Sequence, residues 1–426
     1  MCRLPISNTV SPDQSPHYIR AVTGMSAAHE IVVDQDIYSS NGTKLLAKGA
    51  QLNQHHFELL TQHRLKIPLD NSLSLAGPVS PAQLALEAAQ MIEHDALLAQ
   101  IAASSGDALA VKHALAQLPL SAALCFRLSV MRSQRAALYQ HSLRSALLAH
   151  ALALRLELAE HERCNLLLAA LCHDIGELHT DPVLLAPGRE LSRQERRYLY
   201  VHPVTGFVLL QQLLPASCRS AALAVLHHHE RADGSGYPYG LNFAQIHPLG
   251  RILALVEVSE GLLRRQDLDR LDVLLKLGKP RFASAAIGAL RDLLRAAPDR
   301  LRTRLRPRGE IEAGLARLSD VLLLWKTLGA QLGNAPGEAL PLGFLFERME
   351  TLRSLVLQTG CDPDDMATVL EQVEEDEEAL HELASLAGEF CWLMNDLANE
   401  IERRTPARDP QTRELLQALI RALNSA

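Results

Sequence analysis

Four histidine-bearing positions fall at the ends of successive helical segments: His141, the pair His173-Asp174, His202, and the pair His228-His229. Such repetition restricts the topologies open to a helical chain, because helix ends can converge on one pocket. The placement follows from local pattern. Leu143, Leu147, Ala151, Leu154 and Leu158 recur at three- and four-residue steps, which predicts a helix with one apolar stripe starting around His141. The segment CNLLLAALCHDIGE stops at Gly176, a natural residue after a helix, so His173 and Asp174 are expected in its last turn. Ser192 with Glu195 forms a capping box, and Pro203 suits the first turn of the following helix, which puts His202 at that junction. A fifth segment, HPLGRILALVEVSEGLL, offers Glu257 and Glu260 on one face because they are three residues apart.

Together these positions supply five imidazoles and up to three carboxylates, with no thiolate among them. Nitrogen and oxygen donors of this kind suit iron, manganese or zinc, and the set is too rich for one tetrahedral ion. Two metals are the natural count. Asp174 is the obvious bridge, since a carboxylate has two oxygens and paired metals sit ~3.5–4 Å apart. Any one of these histidines alone would more often be a surface or satisfied core residue; order, spacing and helix-end placement together carry the reading.

The rest of the chain sets its limits. Aromatic residues are only 4% and aliphatic ones dominate, which favours leucine- and alanine-rich helices over sheets. The fold class expected is mainly α. Seven cysteines without CxxC spacing indicate neither a disulfide framework nor a zinc ribbon, and a reducing cytoplasm fits. No apolar run reaches the ~18 residues of a membrane span, so no membrane role is expected. A net charge of −7 argues against general nucleic-acid binding. Residues 1–24 read as a disordered leader and 25–70 as a small α+β domain, with a hairpin signal at Asn41-Gly42. Residues 71–79 read as a linker, 80–295 as the helical metal-binding domain, and 296–426 as a separate C-terminal helical domain whose acidic run at 374–378 is a solvated face.

The motifs QHSLRSA, LCHDIGE, LLAPGRELSRQE, VHPVTG, HHHERADGSGYP and RILALVEVSEGL, in that order over about residues 139–270, resemble the HD-GYP domain, a bacterial phosphohydrolase class that cleaves cyclic di-GMP. The resemblance implies an HD-type helical bundle. It also implies that His141, His173, Asp174 and Glu257 hold one metal while Asp174, His202, His228 and His229 hold the other, leaving His227 spare. By the same resemblance Gly236, Tyr237, Pro238 and Arg251 meet the substrate or shape its pocket, Arg231 meets it or steadies the loop or site, and Glu260 and Asp233 support the ligands. The cofactors implied are two divalent transition metals, iron or manganese, with zinc as an alternative. The reaction implied is hydrolysis of the cyclic di-GMP phosphodiester by a hydroxide bridging the two metals.

Several positions depart from the family pattern. Glu177 stands where the family has a lysine that contacts the substrate phosphate, so Glu177 is a catalytic position with the opposite charge. Glu257 and Glu260 replace aspartates. Ala137 stands where some members have the glutamate that allows a third metal, and RRQDLDRLD replaces a basic, aromatic segment. The expected function is therefore a cyclic di-GMP phosphodiesterase with weakened activity. The alternative is a degenerate HD-GYP module acting as a nucleotide- or protein-binding adaptor without turnover, its partner met through the C-terminal helices. A homodimer is compatible with either reading.

Overall fold

The computed structural model describes residues 15–104, 110–186, 188–295, 307–333, 342–362, 369, 376–405 and 410–425. These residues form a mainly α protein in two compact units, one of residues 15–261 and 281–295, the other of 262–280 and 307 onward.

The first unit opens with α1 (Pro16–Met25), where a disordered leader is expected; residues 1–14 of that segment lie outside the described residues. For residues 16–24 the leader expectation fails, because Tyr18, Ile19, Val22 and Met25 make one helical stripe and are all buried. Burial contributes roughly 1.5–3 kcal/mol for a large apolar side chain, enough to order a ten-residue helix. Next come β1 (Ile31–Val33), β2 (Ile37–Tyr38), β3 (Lys44–Leu46), α2 (His56–Gln62) and β4 (Leu73–Leu75). Strands β2 and β3 pair antiparallel across a turn in which Gly42 has φ 87°, a conformation open to glycine. Strand β1 pairs antiparallel with β4, Ile31 opposite Leu75 and Val33 opposite Leu73. Part of the expected linker is therefore a strand, its Leu-Ser-Leu alternation matching a half-buried edge.

Helices α3 (Pro81–His94), α4 (Ala96–Ser104), α5 (Ala110–Ala116), α6 (Ala122–Gln134), α7 (Ala136–Arg155), α8 (Glu160–Cys172), α9 (Arg193–Leu199), α10 (His202–Leu213), α11 (Arg219–His227) and α12 (Pro248–Arg264) follow. Helix α7 packs along α8, and α8 and α10 both pack against α11. Small side chains make the close approach possible: Ala146, Ala149 and Ala153 of α7 and Ala169 and Ala170 of α8 are fully buried. Helix α7 starts five residues before the predicted point, so His141 sits in its second turn rather than at its start. Ser192 does accept from the backbone N–H of Glu195, whose carboxylate returns to Ser192 N at 2.9 Å.

The second unit contains α13 (Leu268–Leu277) and the helices Arg308–Gly333, Gly343–Gln358, Glu377–Arg404 and Pro410–Asn424. Its core includes Leu318, Leu345, Met349, Phe390, Ile401 and Leu419. The sequence division at 295 needs correcting, because α13 belongs to this unit. Asp269 pairs with His381 at 2.5 Å and Arg270 reaches the buried Glu389 at 3.3 Å. Of the acidic run, Asp376 caps the helix that follows and is exposed with Glu377 and Glu378, while 374 and 375 lie outside the described residues.

Candidate metal centre

Helix ends deliver most of the donors. Helix α8 stops at Cys172, so His173 and Asp174 lie just past its last turn, where a tight 3-10 turn (Ile175–His179) redirects the chain. His202 opens α10, His228 and His229 follow α11, and Glu257 and Glu260 project from the middle of α12. Two glycines let these pieces meet. A Cβ at Gly176 would lie 2.1 Å from the carbonyl oxygen of His202, and one at Gly206 would lie 3.0 Å from Val225 Cγ1.

The two oxygens of Asp174 face different partners. Oδ2 lies 3.1 Å from His173 Nε2 and 3.8 Å from His141 Nε2, while Oδ1 lies 3.3 Å from His202 Nε2 and 3.6 Å from His228 Nε2. Glu257 Oε2 closes the first group at 2.9 Å from both His141 and His173. Two clusters result, His141–His173–Asp174–Glu257 and Asp174–His202–His228–His229, each with donor atoms within 4.8 Å of one another.

Ring orientation is fixed from behind. The Nδ1–H groups of His173, His202 and His228 donate to the carbonyls of Ala170, Leu199 and Val225, at 2.8, 2.7 and 2.6 Å. That tautomer leaves a lone pair on each Nε2, pointing inward. His141 donates Nδ1–H to Glu260 at 2.5 Å, and Glu260 is held in turn by Arg144 Nε at 2.8 Å. Arg144 also donates to Asp95 at 2.7 Å.

The donor set fits a cation. His202 and His228 aim Nε2 atoms at each other across 3.2 Å, with Asp174 Oδ1 alongside, so lone pairs converge on one region. Electrostatics agree. Burial opposes charge on every member, yet His173, His202 and His228 hold Asp174 well below the usual carboxylate range, and His141 and His173 do the same for Glu257. Against the same burial, Asp174 and Glu257 lift His173 well above its ordinary value, and Glu257 and Glu260 lift His141 to about 10. His228 and His229 are pushed down by burial and by neighbouring imidazoles, which keeps them neutral donors. Two ionised carboxylates thus demand positive charge, which protonated His141 and His173 supply in the metal-free protein and which a bound cation would take over.

The loop after α11 is shaped by its own residues. A Cβ at Gly236 would lie 2.4 Å from Arg231 N, Glu230 Cα and His229 O, so only glycine fits. Tyr237 donates its N–H to His229 O at 3.1 Å and stacks on the His229 ring at 4.5 Å, with the cis-linked Pro238 behind it. His227 turns away, accepting from His247 N at 3.0 Å. Three of the expected residues make contacts within the loop region itself. Arg231 donates to the carbonyls of His228 and Glu230 and covers Phe282, contacts that brace the loop as one of its two expected roles requires. Arg251 donates to Ile246 O and lies over Phe243, not against the donors. Asp233 accepts from Ser235 N and Oγ, which orders the turn.

Glu177 carries its carboxyl beside the donors, where burial and then Asp174 push it up to about 7. Sequence reasoning missed Arg144 and Glu230. The signal for Arg144 was its position three residues after His141 on the same helix face. Glu230 is fully buried and accepts from Tyr239 N and Leu241 N at 2.7 and 2.8 Å, which no local pattern announced.

Residues 127–267 match the family described as the HD domain. That match supports the resemblance of this segment to the HD-GYP domain. Within it stand His173-Asp174 and Gly236-Tyr237-Pro238, two of the stretches on which that resemblance rests. Over 209 residues the chain is 36% identical to a cyclic di-GMP phosphodiesterase of Pseudomonas aeruginosa, covering 44% of this chain and 48% of that protein. It is 40% identical over 110 residues to a cyclic di-GMP phosphodiesterase response regulator of Xanthomonas campestris, covering 26% and 29% of the two chains. It is 37% identical over 126 residues to the 3'3'-cGAMP-specific phosphodiesterase 1 of Vibrio cholerae, covering 29% and 28%. The matches thus span about half the first relative and under a third of the others. Among the described residues no helix is long and apolar enough to cross a membrane.

Proposed function

We propose that this chain hydrolyses a phosphodiester bond of a cyclic dinucleotide, cyclic di-GMP foremost, at a pair of divalent transition metals. One observation carries the reading: Asp174 turns one oxygen to each of two complete donor groups. The relatives, named for cyclic di-GMP and 3'3'-cGAMP, support the substrate class. Iron or manganese suits the nitrogen- and oxygen-only set, and zinc is compatible with it.

In this proposal His141, His173, Asp174 and Glu257 hold one ion, and Asp174, His202, His228 and His229 the other. Bound there, the ions would supply the positive charge that acidifies a water and takes up charge on the phosphoryl oxygens. The chain does the rest. Glu260 keeps the proton on His141 Nδ1, so Nε2 stays aimed at the centre. Tyr237 covers one face of His229 and walls off that side from water. Glu177 places an acidic group where a phosphate would approach, which limits turnover. The same group favours a second reading, an adaptor that binds metal and nucleotide without turnover. A cytoplasmic location and a protein partner at the C-terminal helices belong to this proposal as well.

The test is anaerobic purification with iron or manganese, elemental analysis, and timed separation of cyclic di-GMP, linear dinucleotide and GMP. About two ions per chain with product formation supports hydrolysis. Two ions without product favours the adaptor, and fewer than about one ion after reconstitution rejects both.

A further inference from the structure

The turn Ile175–His179 begins beside Asp174 and ends in a buried cluster that the metal centre does not use. Arg127 of α6 is 1% exposed and pairs through Nε with Asp70, which also accepts from the Tyr18 hydroxyl. The Arg127 guanidinium lies 4.5 Å over the Tyr18 ring, and its Nη1 is 3.0 Å from His179 Nε2. Arginine can only donate, so His179 Nε2 accepts. The His179 ring stacks on Tyr18 at 5.0 Å and 25°, and its carbonyl accepts from Ser15 Oγ at 3.2 Å. These partners of His179 come from the N-terminal segment and from α6.

Between its two ends the turn has little slack. Glu177 N donates to Asp174 O at 2.9 Å, Thr180 N donates to Glu177 O at 3.0 Å, and Arg135 donates to Thr180 O at 3.3 Å. Gly176 lies against the backbone of His202 with no room for even a Cβ. A displacement of His179 is therefore passed to Asp174 and to Glu177 instead of being absorbed.

We propose that Arg127 and His179 are positioning residues, through which Tyr18 and Asp70 of the N-terminal segment set where the Asp174 carboxylate stands. The inference rests on the two-metal reading above. It makes the small N-terminal domain a determinant of metal affinity, although none of its residues is among the donors.

Four full-length proteins test it: wild type, His179→Phe, His179→Gln and Tyr18→Phe, each stripped of metal and titrated with manganese, with melting temperature measured alongside. His179→Phe keeps a ring against Tyr18 but accepts nothing from Arg127, and its manganese affinity is expected to fall about tenfold or more. His179→Gln restores an acceptor and should stay within about threefold of wild type. In the metal-free proteins, amide hydrogen exchange at Glu177 and Thr180 should speed up in His179→Phe and not in His179→Gln. Should His179→Phe fail to fold, Tyr18→Phe carries the test, since it removes only the hydroxyl to Asp70 and should still weaken manganese binding measurably. Wild-type affinity in the Phe variants, or a Gln variant as weak as the Phe one, overturns the inference while leaving the metal reading intact. A wild-type chain that takes up no manganese overturns both.

Discussion

Replacing Gly176 by alanine tests the architecture of the centre more directly than removing a ligand. The added methyl would lie 2.1 Å from His202 O, 2.9 Å from His202 C and 3.0 Å from Gly206 N, all backbone atoms that cannot rotate aside. Ordinary contact begins near 3.4 Å, so the start of α10 must retreat by on the order of 1 Å. His202 Nε2 now stands 3.3 Å from Asp174 Oδ1. Metal–ligand distances tolerate only about 0.2 Å, so a shift of that size removes His202 from its group. Overpacking should also cost about 1–3 kcal/mol of stability. The expected outcome is a folded, destabilised protein that keeps the ion of the His141–His173–Glu257 side and loses about tenfold or more affinity for the other. Gly206→Ala is the matched control: its Cβ would crowd Val225 Cγ1 at 3.0 Å, a side chain that can yield, while His173 O and Gly176 N stand at ordinary contact distances of 3.7 and 3.8 Å. Manganese titration with elemental analysis, together with urea unfolding, reads both effects. Two tightly held ions in Gly176→Ala, with stability within about 0.5 kcal/mol of wild type, would refute the argument that this contact places His202.

Other perturbations bear on single residues. Glu177→Lys reverses a charge beside the proposed phosphate position and should raise turnover of cyclic di-GMP roughly tenfold to a hundredfold with metal content unchanged; unaltered turnover in a fully metallated variant would show that the side chain does not face substrate. Asp174→Ala should abolish uptake of both ions, whereas His228→Ala should spare one, and equal losses by elemental analysis would contradict a shared carboxylate. His227 supplies a pH signature, because burial and then His247 lower its pKa from 6.5 to about 4. A depressed value means the folded state binds fewer protons, so this contribution is complete above pH 6.5 and is lost as pH falls toward 4. In metal-free protein, His227→Gln should shrink the stability difference between about pH 7 and pH 4.5 by about 2 kcal/mol; an unchanged difference would mean the imidazole is not held neutral.

Local chemistry was the legible part of this fold. The capping box at Ser192 and the proline in the first turn of α10 are short-range signals, and the structure contains both. The concentration of histidines at helix ends pointed to one pocket because residue type and position agree along the chain. What stayed hidden depends on distant partners. Leu73–Leu75 becomes a strand only because Ile31–Val33 lies beside it. Tyr18, Ile19, Val22 and Met25 have helical spacing, but the Pro- and Ser-containing stretch before them masked a helix that is ordered by burial. Helix α13 carries an ordinary amphipathic pattern, and nothing within it names Glu389 as the partner of Arg270. Arg231 was open to two roles for a similar reason: an arginine beside a glycine-rich loop can face a ligand or the loop's own carbonyls, and its donation to His228 O and Glu230 O is set by the folded backbone.

The carbonyls of Ala170, Leu199 and Val225 share one relation to the histidines they bind, each lying three residues earlier in the chain. They come from helical turns at or beside a helix end, where backbone oxygens run out of amide partners. The aim of each ring is therefore encoded in a four-residue stretch, even though the centre draws on segments as far apart as α7 and α12. Folding has only to bring together nitrogens that already point the right way. An arriving ion would then find no ring to turn over and no tautomer to exchange at these three positions, so the speed of loading would be governed by access to the pocket and not by rearrangement inside it.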